Sequence, residues 1–116
     1  MTQHGGAQAV EPLLALSPRP TAIACCNDLT AIGAMSRIRT SGLEVGSDIA
    51  IGGFDDIPPA SYSHPPLTTV HQPIYNIGRM VSRLLIDFLL GNSSSEPHIV
   101  LEPTLVVRAS SGGSLL

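Results

Sequence analysis

Apolar residues in this chain follow two rhythms. Leu29, Ile32, Met35 and Ile38 fall three apart. Ile74, Ile77, Met80, Val81, Leu84, Leu85, Phe88 and Leu89 follow the three-and-four spacing that lays a stripe along one side of a helix. Residues 21–26 and 48–54 instead form short apolar runs without helical spacing, as buried strands of a parallel sheet do, the second built on Ile49, Ala50 and Ile51. Residues 67–71, rich in Thr and Val, predict a third strand.

Breakers divide these segments. Gly5 and Gly6 open the readable part, and Val10, Leu13, Leu14 and Leu16 give a short helical pattern that Pro12 confines or kinks. Ser17, Pro18, Arg19 and Pro20 then stop it. Asn27 or Asp28 caps the next helix and Gly42 ends it. Residues 55–66, with four prolines, read as a loop. Pro73 stands where the longest helix starts, and Gly91 ends it. Residues 92–97 read as a polar loop, 98–101 and 104–107 as two short strands, and 110–116 as a mobile tail.

Alternating helices and strands predict an α/β fold, a parallel sheet flanked by helices. In such sheets ligands bind beyond the carboxyl ends of the strands. Asn27 stands just after the first strand and Asp55 just after the second. Parallel strands would bring both to one edge.

Composition narrows the picture. The chain has 116 residues, 43% hydrophobic and 13% charged, which suits one small folded domain with an aliphatic core, since Tyr62, Tyr75, Phe54 and Phe88 are the only aromatics. Net charge is −3, all six basic residues are arginines, and they are scattered. Direct DNA binding by this stretch is not expected, because neutralising phosphates takes clustered cations. No apolar run approaches the roughly 20 residues that span a bilayer, and the first ten residues do not resemble a signal peptide. Cys25 and Cys26 are neighbours on a strand, point to opposite faces and are poorly placed for a mutual disulfide; a reduced, cytoplasmic setting is expected.

Four segments together resemble the LacI/GalR family of transcriptional regulators: PTAIACCNDLTAIGA from Pro20 to Ala34, GLEVGSDI from Gly42, GFDD from Gly53 and PPLTTVHQP from Pro65, with LVVRAS from Leu105 matching the family's closing strand. The order and spacing also match, over roughly residues 5–110. The resemblance implies the C-terminal part of a two-lobed, periplasmic-binding-protein-like (type I) effector core, incomplete here. Residues 1–70 would belong to the C-terminal lobe, 71–97 to a crossing and a helix of the N-terminal lobe, 98–110 to closing strands and 111–116 to a tail. The helix-turn-helix and most of the N-terminal lobe would lie outside these residues. The stripe of the 74–90 helix would then lack partners, and the chain is expected to self-associate.

The resemblance also implies roles. Asp55, the first acid of GFDD, would accept hydrogen bonds from a small-molecule effector; a carboxylate suits adjacent sugar hydroxyls or the N–H groups of a purine. The alternative is a turn aspartate bonded to its own backbone. Asn27 resembles the family's pocket asparagine, and could equally cap its helix. Asp28 reads mainly as a cap and Asp56 mainly as structural. Gln72 and Ile74 would stand at the crossing between lobes and line the ligand; Ile74 occupies a position often aromatic in the family. Ile32, Met35 and Tyr62 resemble positions used for dimerisation; plain core packing is the competing account of Ile32 and Met35, and Tyr62 could equally lie on its own lobe.

Other chemistry finds little purchase. Cys25 and Cys26 have no nearby partners for a zinc set, and His4, His64, His71 and His98 show no ligand spacing. There is no G-x-S-x-G, and neither glycine pair has a phosphate-loop pattern. The expectation is therefore no enzyme, cofactor or metal. It is an effector-sensing module, for a sugar or nucleoside-like molecule, of a dimeric regulator that meets operator DNA through another domain. The alternative is a solute-binding protein of a transport system with the same fold.

Overall fold

The computed structural model describes residues 1–92 and 98–113. Two compact units emerge, Met1–His71 with Thr104–Leu116, and Gln72–Pro103.

The first unit begins with helix α1, Gln3–Leu14. It starts seven residues before the apolar pattern does, at Thr2, whose hydroxyl accepts the Gly5 N–H at 3.0 Å. Gly5 and Gly6 lie inside the helix rather than before it. The reason is tertiary: a Cβ on Gly6 would fall on the Thr30 carbonyl, and one on Gly33 on the Gln3 carbonyl. Bare backbone at both positions lets α1 lie tightly against helix α2, Asp28–Thr40, and that contact overrides the poor helix propensity of glycine. Pro12 sits within the last turn of α1, so its missing N–H costs one late helical bond.

Strand β1, Ala22–Ala24, runs parallel to β2, Ala50–Gly52, in the register Ala22 to Ala50, Ile23 to Ile51 and Ala24 to Gly52. Bridges from Gly52 to Thr68 and from Asp55 to His71 continue the parallel order to β3, Thr69–His71. The last strand, β4, Thr104–Val106, joins β3 antiparallel. Only Ile23 of β1 is even half-buried, against the expectation of a buried strand, since among the described residues β1 pairs on one side only. The proline-rich loop contains a short helix, α3, Pro58–Tyr62, which starts on Pro58 and Pro59, where their missing N–H groups cost nothing.

The core is aliphatic. Val10 of α1, Ala31, Ala34, Met35 and Ile38 of α2, Ile49, Ile51, Ala60 and Leu67 are buried together. Each large member contributes about 1.5–3 kcal/mol by leaving water. The expected mobile tail begins differently: Ser110 is fully buried in a short 3-10 turn. Its hydroxyl accepts the Thr68 N–H at 2.8 Å and donates to the Ile51 carbonyl at 2.7 Å. Residues 114–116 lie outside the described residues.

The second unit carries helix α4, Ile74–Leu89. No residue of it is buried. Ile77, Met80, Val81 and Leu84 share an apolar groove with His98, Ile99 and Leu101. Residues 98–101 are not a strand, as no ladder partner pairs with them. Of the 92–97 loop, residues 93–97 lie outside the described residues.

Candidate functional site

Two backbone bonds carry the parallel pairing past the strand ends. The Cys25 N–H donates to the Gly52 carbonyl at 2.8 Å, and the Asp28 N–H to the Phe54 carbonyl at 2.9 Å. Asn27 and Asp55 therefore both stand beyond the carboxyl ends of adjacent parallel strands, on one edge of the sheet.

Asn27 is the cap of α2. Its extended backbone turns the side chain back, and Oδ1 accepts the Thr30 N–H at 2.9 Å. Nδ2 lies 3.4 Å from the Met1 sulfur. With its oxygen already serving the helix, Asn27 has chiefly amide N–H to offer a ligand.

Asp28 is not the cap. It is the first helical residue and is fully buried. Its Oδ1 accepts the Thr69 hydroxyl at 2.5 Å, and Oδ2 accepts the Ile57 N–H at 2.9 Å. One carboxylate thus joins the start of α2, β3 and the turn after β2. Gly53 makes room for it, since a Cβ there would collide with Asp28 Oδ1.

Asp55 and Asp56 have φ of 117° and 57°, the side of backbone space that glycine prefers. The Asp55 N–H donates to the Val70 carbonyl at 3.0 Å, fixing the turn to β3. Asp56 is held from two sides. Arg108 Nη2 donates to Oδ1 at 2.8 Å, while Nη1 donates to the Leu67 carbonyl at 2.8 Å. His71 Nδ1 lies 3.0 Å from Oδ2. An ionised carboxylate only accepts, so that ring nitrogen carries the proton. Burial works to raise the Asp56 carboxyl, but Arg108, by hydrogen bond and charge, and then His71 outweigh it and hold it below the usual aspartate value.

Gln72 is half-buried and Ile74, the first residue of α4, is 59% exposed; both belong to the second unit. Ile32 is half-buried against the core, Met35 lies within it at 2% exposure, and Tyr62, ending α3, is 72% exposed. Met35 thus packs in the core of the first unit. Burial, then the neighbouring Cys26, push the Cys25 thiol up to about 11. Among the described residues no three His, Cys, Asp or Glu gather as a metal set, and no helix is long and apolar enough to cross a membrane.

The model of the periplasmic binding protein-like domain matches residues 1–111. The chain belongs to that family. Within it, the similarity is to LacI-type regulators. The ribose operon repressor of Haemophilus influenzae is 40% identical over 92% of this chain and 32% of its own length. A LacI-family regulatory protein of Chloroflexus aggregans is 47% identical, with a TM-score of 0.87 over 94% of this chain and 40% of that one. The transcriptional regulator CelR, solved with cellobiose, is 36% identical with a TM-score of 0.88, over 95% of this chain and 34% of that one. The chain spans about a third of the length of the curated relatives it matches. These relatives are regulators, not enzymes.

Sequence reasoning missed Arg108, His71 and the inward role of Asp28. One signal was available: half-buried carboxylates need partners, and Arg108 lies in the one matching segment whose arginine had no assigned task.

Proposed function

We propose that this chain is the effector-sensing part of a LacI-type transcriptional regulator and that its ligand is a small polyhydroxyl molecule, a sugar or the sugar of a nucleoside. One observation supports the reading: adjacent parallel strands bring the backbone of Asn27 and of Asp55 to a single sheet edge. A carboxylate accepts from vicinal hydroxyls while an amide N–H donates to a third oxygen, so the pair matches the alternating polarity of a sugar rim. The names of the relatives, a ribose operon repressor and a regulator solved with cellobiose, point the same way. They favour a regulator over the solute-binding alternative and over an enzyme.

In the whole regulator, effector binding would favour one of two conformations. A preference of about 1–3 kcal/mol changes operator affinity by roughly 5- to 150-fold through the DNA-binding domain of a dimer. The ligand contacts proposed are those of Asn27 and Asp55. In the full-length regulator, Asp55→Ala should abolish the effector response and leave operator binding intact. An induction curve unchanged by the substitution would refute the role.

A further inference from the structure

We propose that Asp56 is a positioning residue for Asp55: clamped between Arg108 and His71, it fixes the turn that presents the Asp55 carboxylate and ties that turn to the two strands through which the chain leaves and re-enters the first unit. The proposal rests on Asp55 meeting the effector, but its geometry stands separately.

The chain leaves the first unit after His71, the last residue of β3, and returns at Thr104, the first of β4. His71 and Thr104 are paired across the antiparallel ladder. Arg108 follows two residues after β4. Asp56 grips both sides of this doorway, Arg108 at 2.8 Å and His71 at 3.0 Å. Arg108 and Asp56 are well shielded, at 15% and 18% side-chain exposure, whereas His71 is 48% exposed. The arginine is thus the firm hold and the histidine the lighter one. Arg108 is anchored in turn: its backbone N–H donates to Thr68 Oγ1 at 2.7 Å, and Thr68 Oγ1 donates to the Arg108 carbonyl at 2.9 Å.

Two successive residues at positive φ do not hold themselves in place. The bond from Asp55 N–H to Val70 fixes the backbone before the turn, and the Asp56 clamp fixes it afterwards. The same device recurs one strand earlier. Asn27 stands at the edge while Asp28, the next residue, turns inward to Thr69 and to the Ile57 N–H. In both pairs the first residue stands beyond a strand's carboxyl end and the second anchors it through its side chain. Ile57 joins the two anchors, being adjacent to Asp56 and bonded to Asp28.

The test uses the full-length regulator with Arg108→Met, Arg108→Lys, His71→Gln and Asp55→Ala. Without ligand, hydrogen exchange in Arg108→Met should rise roughly tenfold or more at residues 55–57. Exchange at Ile38 and Ile51 in the core should keep its wild-type rate, which a merely structural role for Arg108 would not spare. Arg108→Lys should recover part of the protection, and His71→Gln should cause a smaller loss in the same residues. D-ribose and cellobiose are the ligand probes; affinity for either sugar that the wild type binds should fall in step with exchange. Unchanged exchange at 55–57 in Arg108→Met, or acceleration spread through the core, overturns the proposal. If Arg108→Met does not fold, His71→Gln and Arg108→Lys decide it by the same local readout. Sugar affinity unaffected by Asp55→Ala would overturn the effector reading instead, and the exchange result would still judge the clamp.

Discussion

At the scale of single residues, the candidate site combines strain with support. Asp55 holds a φ of 117°, where a side chain costs about 1–3 kcal/mol and glycine costs little. Asp55→Ala should therefore be less stable than Asp55→Gly in urea unfolding by about 1 kcal/mol or more. Both should lose the effector response, leaving stability and function moving apart. Equal stability of the two variants would show that the turn stores no strain. The cysteines give a second contrast. Cys26 is exposed, while burial lifts the Cys25 thiol to about 11, so at pH near 8 roughly one Cys25 in a thousand is thiolate. Iodoacetamide should label Cys26 in the native protein and reach Cys25 only after unfolding; peptide mass mapping checks this, and equal native rates would contradict it. The strand-end placement of Asn27 and Asp55 was legible because it follows from strand boundaries alone. The Asp56–Arg108 clamp was not, because its partners stand 52 residues apart and no local pattern links them.

At the scale of elements, periodicity revealed what burial or a clean stripe enforces and missed what a single close contact enforces. Apolar spacing makes helices α2 and α4 plain, yet it predicts too short an α1, because Gly5 and Gly6 look like a boundary. Both lie inside α1, and Gly6 is where the helix presses against Thr30 of α2. Residues 98–101 carry a strand-like composition but have no ladder to join, and the sequence cannot show whether a partner edge is present. Glycines of opposite meaning test the account. Gly33 meets the Gln3 carbonyl, while Gly78 inside α4 has nothing within 4 Å of an added Cβ. Gly33→Ala should lose about 1–3 kcal/mol through overpacking of the α1–α2 contact. Gly78→Ala should gain up to about 1 kcal/mol in helix stability. Denaturation followed by circular dichroism would register opposite shifts in midpoint. A stabilising Gly33→Ala would mean that the two helices are free to move apart.

At the scale of the whole molecule, the two units draw on different resources. The first has an aliphatic core, a continuous strand order and a buried serine binding its last turn to the sheet. In the second, α4 buries no residue: Leu85 is 56% exposed, and Phe88 and Leu89 are each 72% exposed. Each such side chain forgoes about 1.5–3 kcal/mol of burial, and together they form a patch of the kind that folded proteins keep covered. The amphipathic stripe that makes α4 the clearest element in the sequence thus leaves large apolar side chains exposed. Sedimentation velocity on the chain by itself should show association that strengthens with concentration. Leu85→Glu combined with Phe88→Glu should shift it to monomer, because charges on the stripe resist desolvation. The first unit is the internal control: its urea transition should be unchanged by the two glutamates, as its core uses no residue of α4. A wild-type chain that stays monomeric at every concentration would mean that the stripe is not the driving surface. Association that survives both glutamates would instead place the contact on the first unit, where Tyr62 is the most exposed of the residues expected to meet a partner.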